Sequence, residues 1–526
     1  MEDTHMKLNT KRTILVGFAF FLISLFWQAY DATIALTLTN KFGMNQTWSG
    51  VIMALDNILA LFLLPLFGTL SDKHKGKRGR RTPFIRFGTI VAACALVILS
   101  FVDNAQLKQI QLVSQVDDPA ALEIVYDTQA DKELQTPTGT KFTLSDKFSK
   151  EEFVAIRSTD DSEDVTVKDE DATPYTSYVV PARQAYAADK TQANPVPLIF
   201  FVGVLLVLLI GMGVFRSPAV ALMPDVTIKP LRSKANAIIN LMGNAGGIIV
   251  LVLGKGFAFG ISKANNAMMS YTPYYITIAA IMIAALIIFL TSVKEKEWAA
   301  QMQSDSIRYG IEETAEAPAG EKRKLDKGER FSLICILASV ALWYFGYNAV
   351  TSKYSVYAPN VLLMDYSNTM LIAQASAIVA YLPAGMVASK IGRKKTILAG
   401  VVMLAAAFTV AAFMRPGSPA LLMYIMFALA GIAWATINVN SFPMVVELST
   451  GSDVGKYTGF YYTASMAAQT VTPMLSGFLM DKMGMTVLFP YASVFVALAF
   501  VTMLLVRHGD SKAVPKKGLE ALDTED

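Results

Sequence analysis

The sequence predicts an all-α membrane protein whose twelve transmembrane helices form two pseudo-symmetric six-helix halves. Composition is the first observation: 53% of the 526 residues are hydrophobic and only 17% are charged, whereas a soluble domain carries about 25% charged residues. Apolar runs of about 20 residues, the length that spans a bilayer as a helix, recur along the chain. Basic segments before helix 1, after helix 2, after helix 8 and in the tail all fall on one side of the predicted bundle, in agreement with the positive-inside rule.

The apolar runs mark the twelve predicted membrane helices. Their approximate bounds are 13–38, 48–70, 84–102, 197–222, 235–257, 272–292, 331–350, 369–388, 396–413, 419–442, 457–480 and 485–506. The first run is too long for a cleavable signal peptide and no small-residue cleavage site follows it, so we expect none. Both cysteines, Cys94 and Cys335, fall inside apolar runs, so we expect buried thiols rather than a disulfide.

Two soluble segments interrupt the helices and divide the chain into six parts. These parts are helices 1–3 (1–102), an extracellular insertion (103–196), helices 4–6 (197–292), a cytoplasmic linker (293–330), helices 7–12 (331–506) and a cytoplasmic tail (507–526). The insertion is rich in acidic residues, and its short runs EIVYDT, EEFVAIR, DVTVK and SYVVPA predict a small β-rich cap. The linker is charged and helix-prone.

Basic loops set the predicted orientation. The connection after helix 2 reads DKHKGKRGRR, the one after helix 8 reads SKIGRKK, and the tail is basic as well. All of these segments fall on one side if the chain starts inside and crosses twelve times. We therefore expect both termini in the cytoplasm and the protein in the plasma membrane.

An internal repeat relates the two halves. PLFGTLSDK…GRRTPF (65–84) follows helix 2, and PAGMVASKIGRKK (383–395) takes the same place after helix 8. MPDVTIKPLRSKANAI (223–238) follows helix 4, and PMVVELSTGSDVGKYTG (443–459) follows helix 10. Two related bundles with corresponding motifs are what a rocking transporter needs.

These motifs resemble those of the major facilitator superfamily. Gly68-x-x-Ser71-Asp72 followed by Gly79-Arg80-Arg81 is similar to the superfamily's loop between helices 2 and 3. The longer basic form SDKHKGKRGRRTPFI resembles that of the glycoside–pentoside–hexuronide:cation symporters. Within that group, RSPAVALMPDV (216–226) is similar to the helix 4 motif of the sucrose and proton-associated sugar carriers. The resemblance implies a twelve-helix fold and symport of a sugar, and it covers the helical core but not the insertion.

One departure from the resemblance concerns the coupling ion. Melibiose-type members of the group carry acidic residues one turn apart just before the helix 2 proline, where they bind a cation. Ala60 and Leu64 take those places before Pro65. Protons are therefore a better expectation than sodium. The acid that the sucrose carriers place in helix 1 matches Asp31.

The loop motifs supply the predicted gating residues. Asp72 lies within reach of the basic residues of its own loop and of Arg232 after helix 4, so a charge cluster there can favour one of two states. The second half has Ser389 where the first has Asp72, which predicts a weaker lock. The basic residues could instead serve only to fix the topology. The predicted gating set is Gly68, Asp72, Arg80, Arg81, Asp225, Arg232, Arg393, Glu447 and Lys456.

Three charged residues inside apolar helices form the predicted proton site. Asp31 lies nine residues before Asn40 and Asp56 nine after Thr47, so at ~1.5 Å per residue both are about 13 Å below the outer surface. Arg216 lies nine residues before the inner end of helix 4, near the same level. Charges at that depth are costly and are expected to face a cavity or one another. A static ion pair between helices is the alternative.

Amide and aromatic side chains complete a predicted sugar site. Asn236, Asn240 and Asn244 form an i, i+4, i+8 ladder on helix 5, and amides hydrogen-bond hydroxyl groups well. Interhelical contacts are an equally good explanation of the ladder, and single aromatic residues often serve packing. The predicted substrate-binding set is Trp27, Gln28, Asn57, Asn240, Asn244, Trp343, Tyr344, Asn348, Asn438, Tyr462 and Gln469.

Together these features predict a secondary transporter that moves a sugar or glycoside, with a di- or oligosaccharide favoured, together with protons. We expect no enzymatic activity, no cofactor or metal, no nucleic-acid partner and a monomer in the bilayer. The three histidines, His5, His74 and His508, lie in terminal or loop segments, and no GxxxxGK[ST] motif is present. The alternatives are a proton-coupled exporter, a lysolipid carrier, or a non-transporting sensor with residues 103–196 as its ligand domain.

Overall fold

A computed structural model describes residues 8–110, 117–161, 170–228, 231–257, 269–309, 325–448 and 454–509. Long helices occupy all twelve predicted positions within these ranges. We number them α1 to α12: Thr10–Lys41, Gln46–Lys73, Thr82–Gln109, Val196–Val226, Arg232–Gly256, Thr272–Ser292, Lys327–Leu362, Tyr366–Ile391, Arg393–Ala412, Ala420–Val446, Val454–Met483 and Leu488–Leu504. The last turns of α1 and α7 are π-helical, and α2 is interrupted at Ala54.

Ten helices in the described ranges are long and apolar enough to cross a membrane. The two long helices outside that set are α8 and α11, so exactly twelve crossings stays a prediction. Both helices carry polar side chains within their length, including Gln374 on α8 and Gln469 on α11. A helix that turns a polar side toward protein needs less hydrophobicity than one surrounded by lipid.

The helices form two bundles with separate hydrophobic cores. One core is built almost entirely from α1 to α6, and the other almost entirely from α7 to α12. Small residues allow close helix contacts inside each bundle. A β-carbon added to Gly88 of α3 would lie 2.6 Å from the carbonyl oxygen of Gly211 of α4, and one added to Gly431 of α10 would lie 2.1 Å from that of Ala373 of α8. The twofold division agrees with the internal repeat.

The two ends of the bundle carry different segments. The basic end carries the 74–81 loop, and the insertion end carries the segment between α3 and α4. The halves touch at the insertion end, where α2 packs against α11. A β-carbon on Gly50 would lie 2.0 Å from the carbonyl oxygen of Pro473, and one on Gly477 would lie 2.1 Å from that of Gln46. The insertion end is therefore closed.

The predicted β-rich insertion is wrong for the residues that the structure describes. Helices dominate, at Pro119–Gln129, Leu144–Lys147, Lys150–Ala155 and Val180–Ala193. The strands are two residues each, Leu134–Gln135 antiparallel to Lys141–Phe142. EIVYDT lies in the first helix, EEFVAIR begins within the third, SYVVPA enters the fourth, and DVTVK lies outside the described residues.

Helix caps explain the error. Asp118 caps the first insertion helix and Pro119 opens it, a combination that favours helix. The buried side chains Leu122, Val125 and Gln129 then follow helical spacing. Ser149 and Glu152 form a capping box for the third helix. The short apolar runs fit the spacing of a strand and that of a helix equally well, and the capping residues favour the helix.

The linker begins as the expected helix, Glu295–Arg308. It packs on the basic end of the first half, where Arg12 donates a hydrogen bond to Gln301 Oε1 (2.8 Å) and its guanidinium lies 5.3 Å from the centre of the Trp298 ring. The remainder of the linker, 310–324, lies outside the described residues.

Candidate functional site

A cavity of about 210 Å³ lies where the two halves meet in the middle of the bundle. Of the predicted residues, Trp27, Asp31, Asp56, Asn57, Arg216, Asn348 and Gln469 line it. The first half supplies five of these and the second half supplies Asn348 and Gln469. Residues far apart in sequence thus come together in one polar chamber between the halves.

Charges of opposite sign face each other in this cavity. Asp31 and Asp56 are close enough to repel one another, and Arg216 interacts electrostatically with Asp56. The Arg216 guanidinium also lies 5.6 Å from the centre of the Trp27 ring, within cation–π range. Asn57 donates a hydrogen bond to Asp56 Oδ1 (2.8 Å). The structure therefore brings the predicted acid–acid–arginine group together at one level.

Asp31 differs from Asp56 in its hydrogen bonding. In the described part of the chain, the Asp31 carboxyl group makes no hydrogen bond and no ion pair, whereas Asp56 has Asn57 and Arg216 beside it. Asp31 is half-buried at the cavity wall. A carboxyl group without fixed partners can change its protonation state with little rearrangement of its surroundings.

Two hydrogen-bond donors in the cavity wall have no partner in the described ranges. They are the indole Nε1 of Trp27 and the amide Nδ2 of Asn348. A buried donor that forms no hydrogen bond carries a desolvation cost. Both nitrogen atoms are themselves buried in the cavity wall, so a ligand with oxygen acceptors satisfies them once the side chains turn toward the cavity.

Gln28 connects the halves instead of lining the cavity. Its amide donates to Tyr366 Oη (3.1 Å) and accepts from Gln374 Nε2 (2.5 Å), and both partners belong to α8. A β-carbon on Gly247 of α5 would lie 3.2 Å from the Gln374 side chain. Gln28 is therefore part of the contact between α1, α5 and α8.

The other predicted substrate residues lie outside the cavity wall. Trp343 is 1% exposed within the second hydrophobic core. Tyr344 meets the Trp434 ring edge-on at 5.2 Å, and Tyr462 packs near Phe442, with ring centres 6.1 Å apart. The asparagines in this group are half-buried on their helices: Asn240, Asn244 and Asn438.

The asparagines of the helix 5 ladder do not line the cavity, and glycines on the same helix pack closely against α1. A β-carbon on Gly243 would lie 2.9 Å from Ser24 Oγ, and one on Gly246 would lie 2.6 Å from the carbonyl oxygen of Phe21. The glycine face of α5 is therefore pressed against α1. The spacing of the asparagines identified a polar stripe, but helix rotation decided what that stripe faces.

Three further polar residues line the cavity and were not predicted from the sequence: Tyr30, Thr351 and Ser352. Each lies three or four positions after a predicted residue, Tyr30 after Trp27 and the other two after Asn348. Helical spacing places such residues on the same face. The residues one helical turn after Trp27 and Asn348 therefore include all three of these lining residues.

The basic end holds the predicted charge cluster of the first half. Arg81 is its centre: it forms ion pairs with Asp72 and with Asp225 (Nε–Oδ2, 2.8 Å) and donates to Ser71 Oγ (2.5 Å). Arg80 also binds Asp225, at 3.0 and 2.5 Å, and these hydrogen bonds raise the pKa of Arg80. The cluster therefore ties the 74–81 loop to the ends of α2 and α4.

Gly68 and Arg232 lie at the basic end but form no ion pair with the described residues there. A β-carbon on Gly68 would lie 2.8 Å from Ser217 Oγ, as expected of a close α2–α4 contact. Arg232 was expected to reach Asp72 but instead donates to the carbonyl oxygens of Thr227 (3.1 Å) and Pro224 (3.0 Å). Its guanidinium therefore satisfies carbonyl groups at the end of α4.

The second half carries a simpler arrangement. Arg393 and Glu447 form an ion pair, matching the predicted pairing of the loops after α8 and α10. The side chains of Ser389 and Lys456 lie outside the described set. Each ion pair that the described residues form at the basic end stays within one half.

Glu295 of the linker is a member of the basic-end cluster that the sequence analysis missed. Its carboxylate accepts hydrogen bonds from the backbone N–H groups of Arg80 (2.7 Å), Arg81 (2.8 Å) and Thr82 (2.8 Å), and from Thr82 Oγ1 (2.7 Å). Glu295 is 2% exposed. A carboxylate from a distant segment thus caps the N-terminus of α3.

A cluster of charged residues that was not predicted from the sequence lies at the insertion end and helps to close it. Asp481 of α11 accepts hydrogen bonds from the backbone of Gln46 (2.8 Å) and Thr47 (2.7 Å) and from Thr47 Oγ1 (2.5 Å). Lys353 of α7 donates to the carbonyl oxygen of Gln46 (2.7 Å). Charged groups of the second half therefore hold the start of α2 in the first half.

A buried ion pair lies nearby within the first half. Lys41 Nζ is 2.7 Å from Asp103 Oδ2, and both side chains are at most 1% exposed. Lys41 also donates to the carbonyl oxygen of Met269 (2.8 Å) and lies over the Tyr271 ring. The pair ties α1 and α3 to the start of α6.

Comparison with known proteins finds similar sequences for parts of both halves. A model of MFS/sugar transport protein matches residues 15–110, and a model of the Major Facilitator Superfamily matches residues 365–523. An MFS-type transporter ppzB from Metarhizium rileyi is 27% identical over 149 residues, and its counterpart from Metarhizium majus is 28% identical over 141 residues. Each match spans 30% of the relative's length and 28% or 27% of this chain.

Solved structures share the fold over nearly the whole chain. The inward-open xylose transporter XylE from E. coli matches with a TM-score of 0.57 and 15% identity, covering 98% of both chains. A POT family transporter in complex with 5-aminolevulinic acid also has a TM-score of 0.57, at 10% identity over 94% of this chain and 95% of that one. Family models thus match in both halves of the chain, and these transporters share its fold throughout.

Proposed function

We propose that the chain is a secondary transporter that moves a sugar or glycoside together with protons by alternating access. The observation that carries the proposal is the central cavity, which both halves line and which holds two carboxyl groups, an arginine and two donors without partners. A binding site between two related bundles is reached from either side in turn when the bundles rock.

The lining chemistry favours a neutral polyhydroxylated substrate. Trp27 offers an aromatic face and an N–H donor, while Asn348, Asn57 and Gln469 offer amides, and amides both donate to and accept from hydroxyl groups. The sugar-transport family model over 15–110 supports the same class. The likeness of the loop motifs to those of the sucrose carriers favours a di- or oligosaccharide.

Asp31 is the proposed coupling group, with Asp56 and Arg216 as its neighbours. Protonation of Asp31 removes its repulsion with Asp56, and Arg216 compensates for the charge that remains. The apolar Ala60 and Leu64 before Pro65 count against a sodium site of the melibiose type. Proton loading at Asp31 and sugar binding at Trp27 and Asn348 then take place in one chamber.

The proposed cycle uses the two ends of the bundle as gates. The insertion end closes through Asp481, Lys353 and the α2–α11 glycine contacts. The basic end opens when the charge cluster around Arg81 separates. Both termini are proposed to be cytoplasmic, which puts the basic end inside and the insertion outside. We propose a monomer in the plasma membrane.

Uptake into proteoliposomes tests the function directly. A panel of D-xylose, sucrose and maltose is presented with an imposed pH gradient, a sodium gradient, or neither. Accumulation that follows the pH gradient for at least one sugar is the expected result. Flux indifferent to both gradients would reduce the protein to a facilitator, and a lack of sugar flux would overturn the proposal.

The alternative functions are a drug exporter, a lysolipid carrier and a sensor, and the chemistry of the cavity and experiments on the purified protein distinguish them from a sugar transporter. An exporter of drugs or a lysolipid carrier needs a more apolar chamber than the one lined by Asp31, Asp56 and Arg216. A sensor would lose ligand binding altogether when residues 103–196 are removed, whereas a transporter should keep some flux.

A further inference from the structure

The insertion touches both halves of the transporter. On the first half, Gln184 Nε2 donates to Asn40 Oδ1 (2.9 Å), and a β-carbon on Gly43 would lie 2.3 Å from the backbone nitrogen of Ala188. On the second half, the backbone N–H of Met485 donates to the carbonyl oxygen of Pro137 (2.7 Å). The insertion therefore bridges α1 and the turn between α11 and α12.

A cavity of about 260 Å³ lies under this bridge. Its wall is shared by the insertion, the start of α2, the end of α7 and the α11–α12 turn. The central cavity measures about 210 Å³. By volume, the outer cavity can therefore hold any molecule that fits the central one.

Side-chain amides dominate the polar part of this outer cavity. The amides are those of Asn45, Gln46, Gln135, Gln184 and Asn360. Among the described residues, the Nδ2 of Asn45 and the Oε1 of Gln184 form no hydrogen bond, and neither does the Oδ1 of Asn360, although the opposite atom of each amide does. Donors and acceptors with unused capacity thus face the same space, which suits hydroxyl groups that both donate and accept.

The charges of the wall exclude an anionic ligand. No lysine or arginine lies among the described residues that line the cavity. Its carboxylates already have partners: Glu133 pairs with Lys141 (2.6 Å), and Asp481 binds the start of α2. The cavity therefore offers neutral polar groups with a slight negative surplus.

We propose that the outer cavity is a second saccharide site, built jointly by the insertion and the insertion ends of both halves. This inference rests on the proposed function, since it assigns the same substrate class to a second place. Because three separate parts of the molecule form the wall, an occupant contacts all of them only while the insertion end is closed. A saccharide bound there stabilises that state.

Protection of an introduced cysteine tests the site without relying on transport. Met44 lines the cavity with an apolar side chain, so Met44→Cys leaves the amides in place. Ser145→Cys is the matched control, on an exposed part of the insertion away from the cavity. Both are made with Cys94 and Cys335 replaced by alanine and reacted with a membrane-impermeant thiol reagent, with or without D-xylose, sucrose or maltose.

The expected result is that at least one sugar slows modification of Met44→Cys and leaves Ser145→Cys unchanged. At about ten times the dissociation constant, occupancy should slow the reaction about tenfold. Gln184→Ala and Asn360→Ala, made singly and together and checked for folding by size-exclusion chromatography, should each weaken the protection.

Three outcomes overturn the proposal: no sugar protects, both cysteines are protected equally, or protection survives both alanine substitutions. Uptake measured in parallel separates this inference from the proposed function. Sugar flux without protection removes only the second site. Protection without flux keeps the site and removes transport.

Discussion

At the scale of single residues, some polar side chains in and near the central cavity have hydrogen-bond partners within the protein and others do not. Asp56 has Asn57 and Arg216 beside it, and Gln28 is occupied by Tyr366 and Gln374. The Nε1 of Trp27 has no hydrogen-bond partner in the described ranges, and the charged neighbour of Asp31 is another carboxyl group, that of Asp56. Side chains that hydrogen-bond to one another stabilise the fold. Those without a hydrogen-bond partner are therefore the better candidates for binding a proton or a ligand.

Replacing Asp31 with asparagine should abolish accumulation driven by a pH gradient and leave some sugar exchange. An amide of nearly the same shape preserves the chamber but cannot take up or release a proton. Proton-driven uptake and counterflow into proteoliposomes are the two measurements. An Asp31→Asn protein that accumulates sugar normally against a gradient would rule out the coupling role.

Replacing Trp27 with phenylalanine should weaken sugar binding and leave stability nearly unchanged. The indole N–H forms no hydrogen bond within the described protein, and phenylalanine keeps an aromatic ring beside Arg216, so the main loss is a ligand contact of about 1 kcal/mol, about fivefold in affinity. Trp343→Phe is the matched control. Trp343 is buried in the second core, so this variant should melt earlier and bind sugar normally. The reverse pattern in equilibrium binding and thermal unfolding would contradict the assignment.

At the scale of elements, the linker helix Glu295–Arg308 is a structural part of the first half. Arg12 and Trp298 hold it against α1, and Glu295 caps α3. The cap also holds the backbone of Arg80 and Arg81, whose side chains bind Asp225. A change in the linker therefore reaches the charge cluster through backbone hydrogen bonds.

Replacing Glu295 with glutamine should destabilise the protein by about 2 kcal/mol, because the amide nitrogen cannot accept the N–H bonds that a carboxylate oxygen accepts. A lower thermal unfolding temperature in detergent is the measurement. Glu297→Gln is the control, since Glu297 lies on the same helix but is exposed and, within the described ranges, forms an ion pair with the neighbouring Lys294. Equal unfolding temperatures for the two variants would show that the cap contributes nothing.

At the scale of the whole molecule, closure of the insertion end depends on backbone approach between the halves. Gly50 and Gly477 allow α2 and α11 to meet at distances that a β-carbon would prevent. Asp481 and Lys353 then bind the start of α2. The closed state is therefore held by steric fit and by charge at one place.

Replacing Gly477 with alanine should shift the population toward an open insertion end. The added β-carbon would lie 2.1 Å from the carbonyl oxygen of Gln46, so the helices must separate. The measurement is the reactivity of Ser352→Cys, in the central cavity, toward an impermeant reagent added on the insertion side. Gly459→Ala is the control on the same helix, because nothing lies within 4 Å of its β-carbon position. Unchanged reactivity in Gly477→Ala would contradict the closure model.

Helix positions, the twofold repeat and the depth of Asp31, Asp56 and Arg216 followed from the sequence by itself. Hydrophobic length and the rise per residue are local properties, and a bilayer imposes a common depth on separate helices. Asn348 and Gln469 were predicted from side-chain chemistry, and both line the cavity. The prediction failed in the insertion, where short apolar runs suit strand and helix alike and only the caps distinguish them.

Only the tertiary structure decided which side of each helix faces the cavity and which distant groups meet. The Asn240 and Asn244 stripe and Trp343 had suitable side chains, but helix rotation, set by the packing of glycines and core residues, turned them elsewhere. Glu295 reaches the N-terminus of α3 from more than 200 residues away. Asp481 and Lys353 meet Gln46 across the halves. Such contacts depend on how the helices pack against one another, which no local pattern in the sequence records.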